Sequence, residues 1–366
     1  METKRSLSRN YGIDLLRIVS MYMVCVLHML LHGQVLANAP AGSVNYLVAY
    51  LLFIASYCGV NCFALISGYV GITSNFKYRK ITRLWLQAFF YTAGMCIIFY
   101  FVKPGAVSKR DLVKALFPVC TGAYWYLTAY ALMFFAIPQL DLILEKMDKV
   151  SVKRFIWIFF FFFSLIDLFP IVNRVAGIVN SGCSALWLAY LYIIGGFIRK
   201  YGAAELFAFS GKKNVAFIRG AYARLGFYLL CTLAAFGVRC FGHEVMLSRF
   251  GSDPFCLRAV SNNTPFILFA AIALFELFSH LKIERGSKVI GFAAPLAFGV
   301  YLIHENELVR RNLVMGKLAQ LSELSPWLFP FAVIGIALAV YVICTLIDYI
   351  RQQLFKLAAK IFSPRA

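Results

Sequence analysis

Charge is scarce in this chain. Only 14% of its 366 residues are Asp, Glu, Lys or Arg, where a soluble domain carries roughly 25%, and just 16 of them are acidic. Ten cysteines are present, yet no two stand as a CxxC pair and most lie inside apolar runs, which leaves no zinc ribbon, redox motif or disulfide framework to read. No HExxH motif, internal repeat or low-complexity tract appears. These absences exclude a soluble globule, a disordered chain and a secreted disulfide scaffold. What fills the sequence instead is apolar: 61% hydrophobic and 17% aromatic residues, with a mean hydropathy of +0.77. That is the composition of a polytopic membrane protein.

One bilayer crossing needs about 20 apolar residues. Long apolar runs predict ten crossings, at 12–31, 45–70, 84–102, 123–140, 155–172, 184–198, 221–241, 264–281, 290–304 and 327–350. The expected fold is therefore all-α, a single integral-membrane domain over 1–366 with no soluble domain appended. The apolar run after the basic start is interrupted by Asp14 and Arg17 and has no small-residue cleavage signal, so it reads as a retained helix rather than a signal peptide.

The few charges are lopsided. Lys and Arg number 36, giving a net charge of +20. With the N-terminus inside, the segments 4–17, 77–83, 146–154, 199–224, 282–288 and 351–365 hold 25 of these 36, and the connection 32–43 holds none. Basic loops stay on the cytoplasmic side and face anionic lipid, so both termini are expected in the cytoplasm. Membrane lipid, not nucleic acid, is the partner that this basicity implies, since no basic stretch is interleaved with stacking aromatics.

The first predicted helix, YGIDLLRIVSMYMVCVLHML, carries three ionisable residues: Asp14, Arg17 and His28. Charges inside a span are costly and face a bundle interior or a wet cavity. Arg17 and His28 are eleven residues apart, so they share a helix face and stand about 16 Å apart along the axis. Asp14 falls near the same line, and His32 continues it one turn beyond His28. Taken singly, Asp14 with Arg17 is an i, i+3 pair at the water boundary and His28 a hydrogen-bonded core histidine. His28 and His32 have the i, i+4 spacing of two metal ligands, but no third ligand is evident and no metal is expected.

Other segments add to this helix. GVNCFALISGYVG, residues 59–71, contains Asn61 and Ser67 as candidate supporting residues, although Ser67 and Gly68 also allow close helix approach, which is a sufficient structural explanation by itself. FKYRKITRLW clusters Lys77, Arg79, Lys80 and Arg83 at the cytoplasmic mouth of the next span, either as topology anchors or as a polyphosphate site. Trp125 and Tyr126 open the following span from the outer face. FGVYLIHENELVRR brings His304 and Glu305 to the depth of His28 at the outer mouth of the ninth span, followed by Arg310 and Arg311. With Arg239, Arg249 and Arg258, these last two make the outer loops modestly basic.

The ordered set resembles membrane-bound acyltransferase family 3, the integral membrane O-acyltransferases of the OafA/WecH type. Asp14-Leu-Leu-Arg17 followed by His28 is similar to the family's D-x-x-R opening and R-x10-H signature. FALISGY at 63–69, the basic segment 77–83, WYL at 125–127 and GVYLIH at 299–304 resemble its later motifs in the same order. Two departures stand out: the basic motif reads Lys80-Ile-Thr-Arg83, and Tyr124 occupies a position where many relatives have His. No extracytoplasmic hydrolase-like domain of the kind fused in some relatives is expected here.

The resemblance implies transfer of a small acyl group, acetyl above all, from cytoplasmic acyl-coenzyme A to a hydroxyl of a cell-surface or lipid-linked glycan, in a bacterial plasma membrane. On that reading Arg17, Lys77, Arg79, Lys80 and Arg83 hold the donor's phosphates and Asp14 orients Arg17. His28 is a general base or a transient acyl carrier. Asn61, Ser67, Trp125, Tyr126, His304 and Glu305 bind the acceptor or support His28, and a homo-oligomer is compatible with it. The rival readings are a multi-pass transporter or flippase of an anionic or lipid-linked solute, and a sensor or assembly subunit that has lost turnover.

Overall fold

A computed structural model describes residues 9–168, 179–208, 220–253 and 255–362. Among these, every regular element is helical. The main helices are α1 (Tyr11–His32), α2 (Val44–Tyr57), α3 (Gly59–Gly71), α4 (Arg79–Val102), α5 (Trp125–Lys146), α6 (Ala185–Tyr201), α7 (Ala221–Phe250), α8 (Pro265–Ser279), α9 (Ser287–His304) and α10 (Phe329–Phe362).

Seven spans are long and apolar enough to cross a membrane: α1, the consecutive pair α2–α3 at Val44–Gly71, α4, α5, α7, α9 and α10. They coincide with seven of the ten expected crossings. Two others, 184–198 and 264–281, correspond to α6 and α8, which have 17 and 15 residues. The tenth, 155–172, begins in a helix at Lys149–Phe160 that continues through Leu168, and its last four residues lie outside the described residues. So do the basic residues Lys4, Arg5, Lys212, Lys213, Arg219 and Arg365.

The long helices divide into inner and outer ones. In the most apolar stretch of α1, 56% of residues are buried, whereas in α7 and α10 only 22% are. The outer surfaces of α10 and α4 expose Phe331, Leu338, Leu346, Ile97, Tyr100 and Phe101 to the surroundings. A continuous apolar coat of this kind is unfavourable in water and natural in hydrocarbon.

α1 is the keystone. It packs against α2, α3, α8, α9 and α10, and its side chains enter both large apolar clusters: Ile13, Leu16 and Met23 in one, Val24, Cys25 and Leu30 in the other. Its start is fixed locally. The Asn10 side chain accepts from the N–H groups of Gly12 and Ile13 at 2.9 and 3.2 Å and donates to the Ser279 carbonyl at 2.8 Å, so one residue caps α1 and ties it to the end of α8. α3 and α6 meet almost backbone to backbone. A Cβ on Gly68 would lie 1.9 Å from the Tyr192 carbonyl oxygen, and one on Gly195 would lie 2.1 Å from that of Leu65. The close-approach reading of Gly68 is the one this packing realises.

Candidate active site

The two ends of α1 build two different environments. At its start, Asp14 is nearly buried and holds two guanidiniums: Oδ2 lies 2.5 Å from Arg9 Nε and Oδ1 lies 2.6 Å from Arg17 NH1. Arg17 then borders two cavities. One, of about 280 Å³, is also lined by Arg9, Tyr69, Thr73 and Arg199. The other, of about 160 Å³, is also lined by Ser67, Ser74, Lys80 and Tyr130. All four expected basic residues after α3, Lys77, Arg79, Lys80 and Arg83, are exposed; Lys80 also borders this second cavity, its Nζ 3.2 Å from the Ser74 hydroxyl.

At the far end, residues remote in sequence converge. His28 Nδ1 lies 2.9 Å from His304 Nε2 and 3.1 Å from Glu305 Oε2, and His32 Nε2 lies 3.3 Å from the same carboxylate oxygen. The other oxygen of Glu305 pairs with Arg310 NH1 at 2.5 Å. Proton positions follow from the partners. His304 Nδ1 sits 2.6 Å from the Val300 carbonyl, which only accepts, so Nδ1 carries the proton and a neutral His304 offers a lone pair at Nε2. The 2.9 Å bond is then donated by His28 Nδ1–H. That leaves Nε2 of His28 as its lone-pair nitrogen, and no hydrogen bond to it is made among the described residues.

His28 borders a cavity of about 50 Å³ shared with Met21, Phe63, Trp125, Tyr126 and Tyr301. With Nδ1 spent on His304 and Glu305, Nε2 is the atom available to a molecule entering there. A free imidazole nitrogen can take a proton from an alcohol, and Glu305 sits where it stabilises the resulting imidazolium, the division of labour seen in triads.

The third metal ligand that spacing did not reveal is supplied by folding. His28, His32 and Glu305 bring one ligand atom each to within 4.8 Å of one another. Their types suit a divalent cation. A cation on Nδ1 would, however, displace the proton that His28 gives to His304, and it would compete with Arg310 for Glu305.

The remaining expected site residues are placed as follows. Trp125 and Tyr126 share the His28 cavity. Ser67 lines the Arg17–Lys80 cavity and donates to the Phe63 carbonyl at 2.9 Å. Asn61 is fully buried and satisfied internally: it accepts from Trp187 Nε1 at 3.0 Å and donates to the Asn262 carbonyl at 2.6 Å. Tyr124, the departure from the family pattern, donates to the Leu302 carbonyl at 2.8 Å and accepts from Asn306 at 3.1 Å, which pins the start of α5 to the end of α9. Of the cations expected in outer loops, Arg311 pairs with Asp111 at 3.1 Å, while Arg239 and Arg249 lie within the long helix α7 instead, Arg239 stacked on Tyr50. Sequence reasoning missed Arg9, Tyr69 and Arg199 as cavity residues. Arg9 and Arg199 read there only as topology charges, because their convergence depends on how α1, α3 and α6 pack.

The family described as an acyltransferase domain, Acyl_transf_3, matches residues 10–348. No curated protein and no solved structure matches the chain. The match runs from the cap of α1 to Asp348 in α10 and so takes in the His28 cluster and, except for Arg9, the residues named around the Arg17 cavities. With seven spans long and apolar enough to cross a membrane, the chain is a membrane protein that belongs to acyltransferase family 3.

Proposed function

We propose that the protein transfers a small acyl group, acetyl above all, from cytoplasmic acyl-coenzyme A to a hydroxyl of a glycan or lipid-linked sugar at the outer face of a bacterial plasma membrane. On this reading α6, α8 and the segment beginning at Lys149 cross as well, giving ten crossings with both termini on the donor side. The observation that carries it is the division of α1. One helix presents Arg17 to basic cavities at its start and His28, its Nε2 unpartnered, to an aromatic cavity at its end.

In this scheme the donor's phosphates rest near Arg17 and Lys80, and Lys77, Arg79 and Arg83 attract it electrostatically from the cytoplasm. Its flexible arm carries the thioester towards His28. The Arg17–Lys80 cavity and the His28 cavity share no lining residue, but Tyr130 borders the first, Tyr126 borders the second, and their rings stack at 6.1 Å. The arm passes where this pair parts. His28 Nε2 takes the hydroxyl proton as the alkoxide attacks the thioester carbonyl. The tetrahedral intermediate collapses with loss of the coenzyme A thiolate, which recovers the proton from His28. Trp125 and Tyr126 offer ring faces to a sugar, and Glu305 balances the imidazolium. If the acyl group is instead carried covalently, Nε2 is again the atom that bears it.

The test is coenzyme A release from acetyl-coenzyme A by the purified protein in lipid, with an oligosaccharide acceptor and with His28→Ala. Loss of about 10²–10⁴-fold in rate is expected on removing a general base. Equal release by both proteins would overturn the reading, and an acetylated His28 trapped without acceptor would select the covalent route.

A further inference from the structure

We propose that the cavity walled by Arg9, Arg17 and Arg199 is a phosphate subsite, and that Arg199, on α6, is a donor-binding residue. This rests on the acyl-coenzyme A reading above and extends it to a residue that the sequence motifs do not contain.

Charge balance is the first ground. Three guanidiniums and one carboxylate line the 280 Å³ cavity, so its ionised walls carry an excess of two positive charges. Both oxygens of Asp14 are taken, one by Arg9 and one by Arg17. Asp14 thus orients two cations and has none of its charge left for the third.

Arg199 is the second ground. Its NH1 donates to the Tyr69 hydroxyl at 2.9 Å, and its guanidinium lies 4.7 Å from the centre of the Tyr69 ring. Among the described residues it has no carboxylate within ion-pair distance. A guanidinium has five N–H donors in a rigid fork, and this one is held in place by stacking while most of them stay available. Such a fork matches phosphate oxygens in pairs.

The third ground is the neighbouring cavity. It shares Arg17 and Val70 with the first and adds Lys80 and the Ser74 hydroxyl. Arg199, Arg9, Arg17 and Lys80 therefore surround one region with Arg17 at its middle. A ligand bearing several phosphate charges fits this set better than a monocarboxylate would. A nucleotide-type donor with a diphosphate and a phosphate monoester has the required charge, and so does a cluster of anionic lipid headgroups. The donor is the occupant proposed.

The experiment compares acetyl-coenzyme A with S-acetyl-pantetheine, which lacks the phosphates, in nanodiscs of phosphatidylcholine alone. Arg199→Ala is expected to raise KM for acetyl-coenzyme A at least tenfold, with kcat and the activity on acetyl-pantetheine changed less than about threefold. Arg199→Lys, which keeps the charge and loses the fork, should fall between. Equal losses on both donors, or no loss on either, would overturn the proposal, as would an unchanged KM together with loss of phosphatidylglycerol binding, which would assign the site to lipid. Turnover of acetyl-pantetheine by the unsubstituted protein tests the acyltransfer reading by itself. If it turns over neither donor, that reading has failed, and calorimetry with free coenzyme A decides the subsite. Binding weakened tenfold by Arg199→Ala then keeps it, and no binding to the unsubstituted protein overturns it.

Discussion

His28 illustrates how a side chain acquires a role from its neighbours. Its position on α1 places it inside a span, but the bond at 2.9 Å to His304, itself fixed by the Val300 carbonyl at 2.6 Å, decides which of its nitrogens is free. Removing His304 leaves Nδ1–H with Glu305 as its remaining partner and loosens the ring. His304→Ala is therefore expected to slow transfer by about tenfold to a hundredfold, the kinetic equivalent of one hydrogen bond to a charged group at about 1.5–3 kcal/mol. His304→Gln, which can restore an acceptor, should recover part of the rate. Steady-state rates with saturating donor would check both, and unaltered rates would show that the relay is idle. At this scale the sequence was legible in part. His28, His304 and Glu305 stood out because ionisable residues in apolar runs need a reason. Their mutual bonds, and the third ligand-type contact from Glu305 to His32, were not legible, since 276 residues separate His28 from His304.

At the scale of helices, close packing sets the tolerances. α3 and α6 touch through glycines, so Gly68→Ala forces a Cβ against the Tyr192 carbonyl, whereas Gly94→Ala on α4 meets nothing within 4 Å. The first substitution is expected to destabilise the fold by about 1–3 kcal/mol, the usual cost of overpacking, and the second to leave it unchanged. Thermal unfolding in detergent would compare them. A second helix-scale case is the short helix Lys109–Leu116, capped by Ser108 and tied to Arg311 through Asp111 at 3.1 Å. Burial acts to raise the Asp111 carboxyl, but bonds from the Ser108 hydroxyl and N–H and from Arg311 outweigh it and hold the group below the usual carboxylate range. A depressed carboxyl contributes stability above its unfolded pKa, near 3.9, and loses it as pH falls through the folded value. This helix should stay docked at pH 5 and loosen only in stronger acid, which amide hydrogen exchange on its backbone would report. The starts of the seven spans were predicted to within about five residues because a long apolar run permits little else. By contrast α5, α7 and α10 run on past the predicted ends to Lys146, Phe250 and Phe362, since a helix continues through residues too polar to extend the apolar run. The apolar pattern overran α8, which is Pro265–Ser279 where 264–281 was expected, and stopped short of the end of α6, because the apolar run ends at Arg199 and Lys200 while the helix continues to Tyr201.

For the whole molecule, orientation is the property with the widest consequence. Cys120 is exposed in the connection that leads to α5, while the other nine cysteines are buried or half-buried. On the orientation proposed above, which puts both termini in the cytoplasm, a membrane-impermeant maleimide should label Cys120 in intact spheroplasts and fail to do so in inside-out vesicles. The opposite pattern would reverse donor and acceptor sides together. The sequence by itself determined that the chain lives in lipid, that it is helical, where most helices run and which face of α1 is polar. These follow from local quantities, hydropathy over some 20 residues and spacing along one helix, that no partner can change. Only the tertiary structure decided that Arg9 and Arg199 share a cavity with Arg17, that Asn61 is spent inside the bundle, and that His304 and Glu305 bind His28. Those relations depend on distances between helices, and such distances are fixed by packing across the chain, which a single helix's pattern does not encode.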